Sequence, residues 1–291
     1  MTIDTLTPDS DTASASREPA PLGLLGYLRC AQGIVWREAL RFIHQRERFV
    51  AALVRPLVWL FIFAAGFRAV LGLSITEPYE TYILYEVYIA PGLVGMIQLF
   101  NGMQSSLAMV YDREMGNMRS LLVSPVPRWF LLSSKLVAGV AVSLAQVYVF
   151  LAIARIWEIE PPLIGYLTVL PALVLSGLML GALGLLLSSI IRQLENFAGI
   201  MNFVIFPMFF LSSALYPLLR MKESSPLLHD LCLWNPFTHA VELIRFALYA
   251  KPNWEAASIV IACTAVFMGL AIFAYNPSKG MLARRGGPGR A

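Results

Sequence analysis

Charged residues are scarce in this chain. Only 14% of its 291 residues are Asp, Glu, Lys or Arg, and 58% are hydrophobic, whereas an ordinary soluble domain carries about 25% charged residues. This shortage of charge argues against a typical soluble protein. It favours a chain that places most of its length in a membrane.

Cysteine, histidine and the common catalytic motifs are scarce as well. The three cysteines show no C-x-x-C spacing and the three histidines are dispersed, which argues against a disulfide framework and a metal cluster. The chain contains no G-x-x-x-x-G-K-[ST], H-E-x-x-H or G-x-S-x-G motif. We therefore predict no catalytic residue, no metal and no directly bound cofactor.

The long uncharged runs predict an all-α membrane protein. A helix needs about 20 apolar residues to cross the hydrocarbon core, and the backbone must satisfy its own hydrogen bonds there. Six stretches have this length, and we predict one transmembrane helix in each: about 51–72, 87–109, 135–156, 164–190, 197–217 and 256–275. Sixteen of the 22 Lys and Arg residues then lie on one side. The excess of positive charge predicts that both termini are cytoplasmic.

The segments outside the spans have their own patterns. Residues 1–22 are rich in Ser, Thr, Asp and Pro and predict a disordered cytoplasmic tail without a signal peptide, and 276–291 form a basic cytoplasmic tail. Residues 27–49 predict an amphipathic interfacial helix. Three prolines break the apolar outer segment 216–250, which predicts short re-entrant helices, one of them capped by Asn235 with Pro236 at its first position.

A compact charged insert separates spans two and three. Residues 111–135 read YDREMGNMRSLLVSPVPRWFLLSSK, with an apolar face on 112–123 and a Pro-x-Pro corner after it. This pattern predicts a short cytoplasmic helix fixed between two spans. Such a helix either transmits force from a partner or lies inert at the membrane surface, and the pattern alone leaves both open.

Polar residues inside span two form a stripe. Gln98, Asn101 and Ser105 are spaced to share a face, and they either line a pathway or subunit interface or make hydrogen bonds between helices. Ionisable residues lie near the span ends rather than at mid-membrane, where ion-driven transporters carry them. We therefore expect any energy for transport to come from outside the bilayer.

Two motifs resemble the ABC-2 type permeases, the membrane subunits of bacterial ABC exporters such as those for nodulation factors and daunorubicin. One is DREMGNMRSLLVSPVPRWFLLSSKL in the insert, and the other is LSSALYPL followed by LWNPFTHAVELIRFALY. The likeness covers residues 27–275. It implies the permease subunit of an exporter in the bacterial inner membrane, and the uncharged spans suit an amphiphilic or lipid-linked substrate better than a small ion. The alternative is a non-transport assembly subunit that docks a cytoplasmic partner through residues 111–130.

The resemblance also implies partners and roles. The insert would be a coupling helix that docks on a separate ATPase subunit, which would hold ATP and Mg, and two permease copies would form the transporter. The coupling residues would be Arg113, Glu114, Gly116, Arg119, Ser124, Pro125 and Arg128. Arg119 replaces a residue that is usually acidic in the family, which reverses one charge in this joint. The outer gate segment would contain Pro217, Asn235, Pro236, Thr238 and Arg245.

Overall fold

The computed structural model describes residues 23–44, 46–67, 77–79, 83–114, 127–157, 159–191 and 193–274. These residues form ten α-helices and one short 3-10 helix, Arg155–Trp157. The α-helices are α1 Leu24–His44, α2 Arg46–Phe67, α3 Tyr85–Glu114, α4 Arg128–Ala154, α5 Gly165–Ile190, α6 Leu194–Phe210, α7 Leu218–Ser224, α8 Pro226–Trp234, α9 Pro236–Leu248 and α10 Trp254–Ala274. No strand element occurs among the described residues, so the predicted all-α class is confirmed.

Four of the described helices are long and apolar enough to cross a membrane. They lie in α3, α4, α5 and α10, over Tyr85–Tyr111, Trp129–Trp157, Gly165–Ile190 and Trp254–Ala274. These bounds agree within a few residues with four of the six predicted spans, except that α4 begins earlier than residue 135. The apolar parts of the other two, Phe49–Phe63 and Leu194–Phe210, are shorter. A total of six spans therefore stays a prediction, and residues 68–72 of the first lie outside the described part.

Helix α5 lies at the centre of the bundle and packs against α3, α4, α9 and α10. Small residues bring α3 and α5 together: a Cβ on Gly102 would lie 2.9 Å from the Leu180 carbonyl oxygen and 3.0 Å from the Gly181 Cα. Leu173, Met179 and Leu180 of α5 are fully buried. The main core is therefore formed around α5, with α10 covering one side and leaving most of its own surface exposed.

Helix α6 ends sooner than the sequence predicted. The predicted span 197–217 carries no charge, but α6 stops at Phe210 and residues 211–216 form turns. The Ser212 hydroxyl donates to the Phe209 carbonyl at 2.6 Å and accepts from the Ala214 N–H at 3.2 Å. A serine side chain that takes over backbone hydrogen bonds in this way competes with the helix. The short helices α7, α8 and α9 follow, and their re-entrant placement on the outer side stays a prediction.

Candidate functional site

The insert connects neighbouring ends of α3 and α4. Helix α3 ends at Glu114, whose side chain is exposed, and α4 begins at Arg128. Arg113 lies in the last turn of α3, and the side chains of Arg113 and Arg128 are outside the described part. Gly116, Arg119, Ser124 and Pro125 are also outside it. The coupling role of these residues stays a prediction.

Gln98 joins α3 to α5 inside the bundle. Its side chain is 1% exposed, its Nε2 donates to the Leu173 carbonyl at 2.7 Å, and its Oε1 accepts from the Ser176 hydroxyl at 2.5 Å. Both ends of the amide are therefore satisfied within the chain. Of the two roles considered for the polar stripe, Gln98 therefore has the second: it makes hydrogen bonds between helices.

Asn101 and Ser105 continue the stripe toward α4. The Asn101 Nδ2 donates to the Gln146 side chain of α4 and to the Ile97 carbonyl at 2.9 Å. Ser105 lies against Gly139, where an added Cβ would approach its hydroxyl to 3.3 Å. These residues border a narrow cavity of about 10 Å³ between α3, α4 and α5, which is at the limit for one ordered water molecule.

Asn235 fastens two helix ends to each other. Its Oδ1 accepts from the Phe237 N–H at 3.0 Å, which confirms the predicted N-cap of α9, and Pro236 takes the first helical position. Its Nδ2 donates to the carbonyls of Met208 and Leu211, at 2.7 and 2.6 Å. Carbonyls at a helix C-terminus have no partner in their own helix, so one side chain satisfies the end of α6 and the start of α9.

Arg245 is a buried cation at the other end of α9. Its side chain is 2% exposed; it pairs with Glu242 and its Nη2 donates to the Ser213 carbonyl at 2.8 Å. Its guanidinium carbon lies 4.1 Å from the centre of the Tyr88 ring. A buried guanidinium needs such partners because an unpaired charge in an apolar environment is very costly. Arg245 is therefore held in one position by α9, α3 and the turn after α6.

The other residues that the sequence predicted for the outer gate are Pro217 and Thr238. Pro217 is buried and precedes α7, and Thr238 is fully buried on α9. Tyr79, which lies before α3, is also buried, and this burial raises the pKa of its hydroxyl above the usual range. Of the predicted gate residues, the structure thus places Asn235 and Arg245 in contact with the turn 211–217.

Two tyrosines at this site were missed by the sequence prediction. The Tyr88 hydroxyl donates to the Ser213 carbonyl at 3.0 Å, and the Tyr85 hydroxyl donates to the Leu215 carbonyl at 2.9 Å. Tyrosines at the start of a span are usually read as membrane-interface residues. Their spacing of three residues places both on one face of α3, which was the available signal.

Among the residues that the structure describes, no three His, Cys, Asp or Glu side chains come together as a metal site. The polar groups instead serve to connect helices. The cluster around Arg245 holds the turn after α6 in place and joins it to α3 and α9. This geometry indicates a mechanical role for the cluster.

Comparison with known proteins gives a consistent result. The family of ABC-2 type transporters matches residues 30–249. A protein named as the transport permease ycf38 of Porphyra purpurea is 27% identical over 236 residues, which cover 79% of this chain and 77% of that protein. The protein of the same name from Cyanophora paradoxa is 27% identical over 223 residues, covering 75% and 74%.

A bacterial relative is similar over a shorter range. YbhR of Escherichia coli strain K12, named as a multidrug ABC transporter permease, is 32% identical over 177 residues. These cover 60% of this chain and 46% of YbhR. All three relatives carry names of membrane transport permeases.

Proposed function

The chain belongs to the ABC-2 type transporter family, and on this premise we propose that it is the permease subunit of an ATP-driven exporter. Members of this family are membrane transport components and not themselves enzymes. Membership implies pairing with an ABC ATPase subunit. One observation carries the proposal: the family match over 30–249 includes three of the four long apolar helices. A multi-pass transport permease is favoured over a non-transport assembly subunit.

The proposed joint with the ATPase is the insert 111–130. We propose this joint because the segment follows the exposed Glu114 at the end of α3, precedes the start of α4 at Arg128, and carries the charged motif of the resemblance. Gly116, Arg119, Ser124, Pro125 and the two arginines Arg113 and Arg128 complete the proposed contact. ATP and Mg would bind to the partner, whose hydrolysis step would move the insert.

The proposed cargo is amphiphilic or lipid-linked. In the four long helices the ionisable residues lie near the ends, at Glu86, Lys135, Arg155 and Glu255, so no charged path for a small ion crosses these four described helices. Two copies of the chain would form the pathway, with the half-buried Asn101 and Ser105 beside it and the buried Gln98 supporting them from within the bundle.

The proposed location is the bacterial inner membrane with both termini cytoplasmic. The 1–22 and 276–291 segments would be cytoplasmic tails around one transmembrane domain, residues 23–275. Under this orientation α7, α8 and α9 lie on the outer side and form the exit gate. The excess of Lys and Arg on the side of the insert supports this orientation.

Co-purification from native membranes tests the proposal. We expect the unaltered chain to retain an ATPase and the double variant Glu114→Lys, Pro125→Gly to lose it, because one charge of the joint is reversed and its rigid corner is removed. A matched control is Glu160→Lys, Pro162→Gly, which changes the same residue types at exposed positions in the loop between α4 and α5. Equal ATPase retention by both double variants would contradict the proposed joint. Absence of any ATPase with the unaltered chain would contradict the proposed function.

A further inference from the structure

The turn after α6 is buried, and neighbouring side chains donate hydrogen bonds to its backbone carbonyls. Residues 212–215 are buried, yet their chain is not helical, so their carbonyls need donors from elsewhere. The Ser213 and Leu215 carbonyls receive three side-chain hydrogen bonds, from Tyr88, Arg245 and Tyr85. Two of these donors lie on α3 and the third lies on α9. We call Tyr85, Tyr88 and Arg245 the clamp.

The turn contacts α3 on both sides of a weak point in that helix, through the clamp tyrosines before it and through Gly92 after it. Pro91 lies inside α3 and cannot donate the backbone hydrogen bond that would tie it to the preceding turn. Tyr85 and Tyr88 precede this proline. Gly92 follows it and packs so closely that an added Cβ would lie 2.7 Å from the backbone of Ala214. The turn therefore supports the first residues of α3 where the helix supports itself least.

Helix α3 also reaches the other end of the bundle. Its 30 residues, Tyr85 to Glu114, span about 45 Å at the usual rise of 1.5 Å per residue. One helix thus carries the two clamp tyrosines in its first turn and the beginning of the proposed ATPase joint in its last turn. Gln98 and Asn101 hold its middle to α5 and α4.

We propose that Tyr85, Tyr88 and Arg245 are positioning residues for transport, which fix the turn 211–217 to α3 so that a movement of the insert is carried along α3 to the outer segment. This inference rests on the proposed function. The clamp residues contact no cargo in this role. They determine whether the outer segment follows the insert.

Cys232 provides a native reporter for the outer segment. It is the buried residue of α8 and is fully shielded, although its neighbour Trp234 is 88% exposed. Replacing Cys30 and Cys263 with serine leaves Cys232 as the single thiol of the chain. The rate at which a hydrophilic maleimide labels this thiol then measures how far the outer segment opens.

The experiment compares the rates at which the Cys232 thiol is labelled in Mg-ATP and in Mg-ADP. The permease is held in nanodiscs together with the ATPase that co-purifies with it. The test variant is Tyr85→Phe, Tyr88→Phe, which keeps both rings and removes both hydroxyls. Tyr88→Phe alone is a milder second variant. The control is Tyr148→Phe, whose hydroxyl donates to the Tyr166 carbonyl at 2.7 Å and joins α4 to α5 away from the turn.

In the unaltered chain and the control, we expect the labelling rates in Mg-ATP and Mg-ADP to differ by about fivefold or more. A fivefold difference is at the lower end of ordinary allosteric coupling. In the double variant the ratio should approach one while the ATPase stays bound, and the single variant should lie between. A general loosening of the fold would raise both rates and keep their ratio. An undiminished ratio in the double variant overturns the clamp inference alone. No nucleotide response in the unaltered chain, with the ATPase bound, overturns the proposed function and the clamp inference with it.

Discussion

Replacing Asn235 with alanine should be one of the most damaging single changes to the outer segment. The asparagine makes three hydrogen bonds, one to the start of α9 and two to the end of α6. Alanine removes all three and leaves the carbonyls of Met208 and Leu211 without this donor. The structural consequence is that α6 and α9 lose their direct polar connection.

The magnitude follows from the two kinds of bond. Loss of an N-cap costs about 1 kcal/mol. A buried polar group left without its partner costs about 1–3 kcal/mol. The Met208 and Leu211 carbonyls are half-buried, so the loss at each should be about 1–2 kcal/mol, the lower part of that range. We expect Asn235→Ala to lower the free energy of unfolding by about 3–5 kcal/mol.

Two further variants separate these contributions. Asn253 caps α10 by accepting from the Ala256 N–H at 3.0 Å, so Asn253→Ala should cost about 1 kcal/mol, the usual value for a cap. Asn235→Ser keeps an oxygen that can cap α9 but is too short to reach α6. It should therefore be less damaging than Asn235→Ala by about 1 kcal/mol.

Equilibrium unfolding in mixtures of SDS and a mild detergent measures these differences directly. The reasoning requires the loss for Asn235→Ala to exceed the loss for Asn253→Ala by about 2–4 kcal/mol. Equal losses for the two alanine variants would show that the bonds to Met208 and Leu211 contribute nothing, and the account of this connection would be refuted.

Three other measurements test the packing, the polar stripe and the response to pH. Gly92→Ala should destabilise the fold by about 1–3 kcal/mol because its Cβ would meet the backbone of Ala214, whereas Gly199→Ala, with open space in α6, should stabilise it by about 0.5–1 kcal/mol; a thermal unfolding series distinguishes the two signs. A double-mutant cycle of Gln98→Leu and Ser176→Ala should give a coupling energy of about 0.5–1.5 kcal/mol, and a value near zero would mean that their 2.5 Å contact is not a stabilising bond. Burial raises the pKa of Tyr249 to about 12, so the folded state disfavours the tyrosinate. The stability that the neutral tyrosine contributes is fully present below the usual pKa of about 10 and is lost as the pH rises toward 12. Tyr249→Phe should flatten this alkaline loss in a pH series of unfolding curves, and an unchanged slope would contradict the assignment.

The sequence predicted the parts of the fold that depend on local composition. Helices α5 and α10 agree with the uncharged runs from 164 and 256, because an apolar run of this length has few other ways to satisfy its backbone in lipid. The Asn235–Pro236 cap was also predictable, since an N-cap depends on neighbouring residues only. Such features need no knowledge of distant contacts.

The features that failed prediction depend on residues far away in the chain. The end of α6 at Phe210 has one local cause, the Ser212 hydroxyl, but the turn is completed by distant residues. These are Asn235, Arg245 and two tyrosines more than 120 residues earlier. The polar stripe was found, but the partners of Gln98 and Asn101 were not. A stripe shows which face of a helix is polar, and only the packing shows whether that face meets another helix.

This dependence bears on how the outer segment can move. An interrupted helix in a membrane protein must take hydrogen-bond donors from its neighbours, so the turn 211–217 cannot separate from α3 and α9 without uncovering the carbonyls of Ser213 and Leu215. Helices α7 and α8 have no such constraint: α7 has no buried residue and α8 buries Cys232 alone, both helices being fully described. Movement of α7 and α8 over a fixed α9 is therefore less costly than movement of the whole segment as one lid. Under the proposed function, α9 would be the fixed wall of the exit, and the opening would occur at α7 and α8.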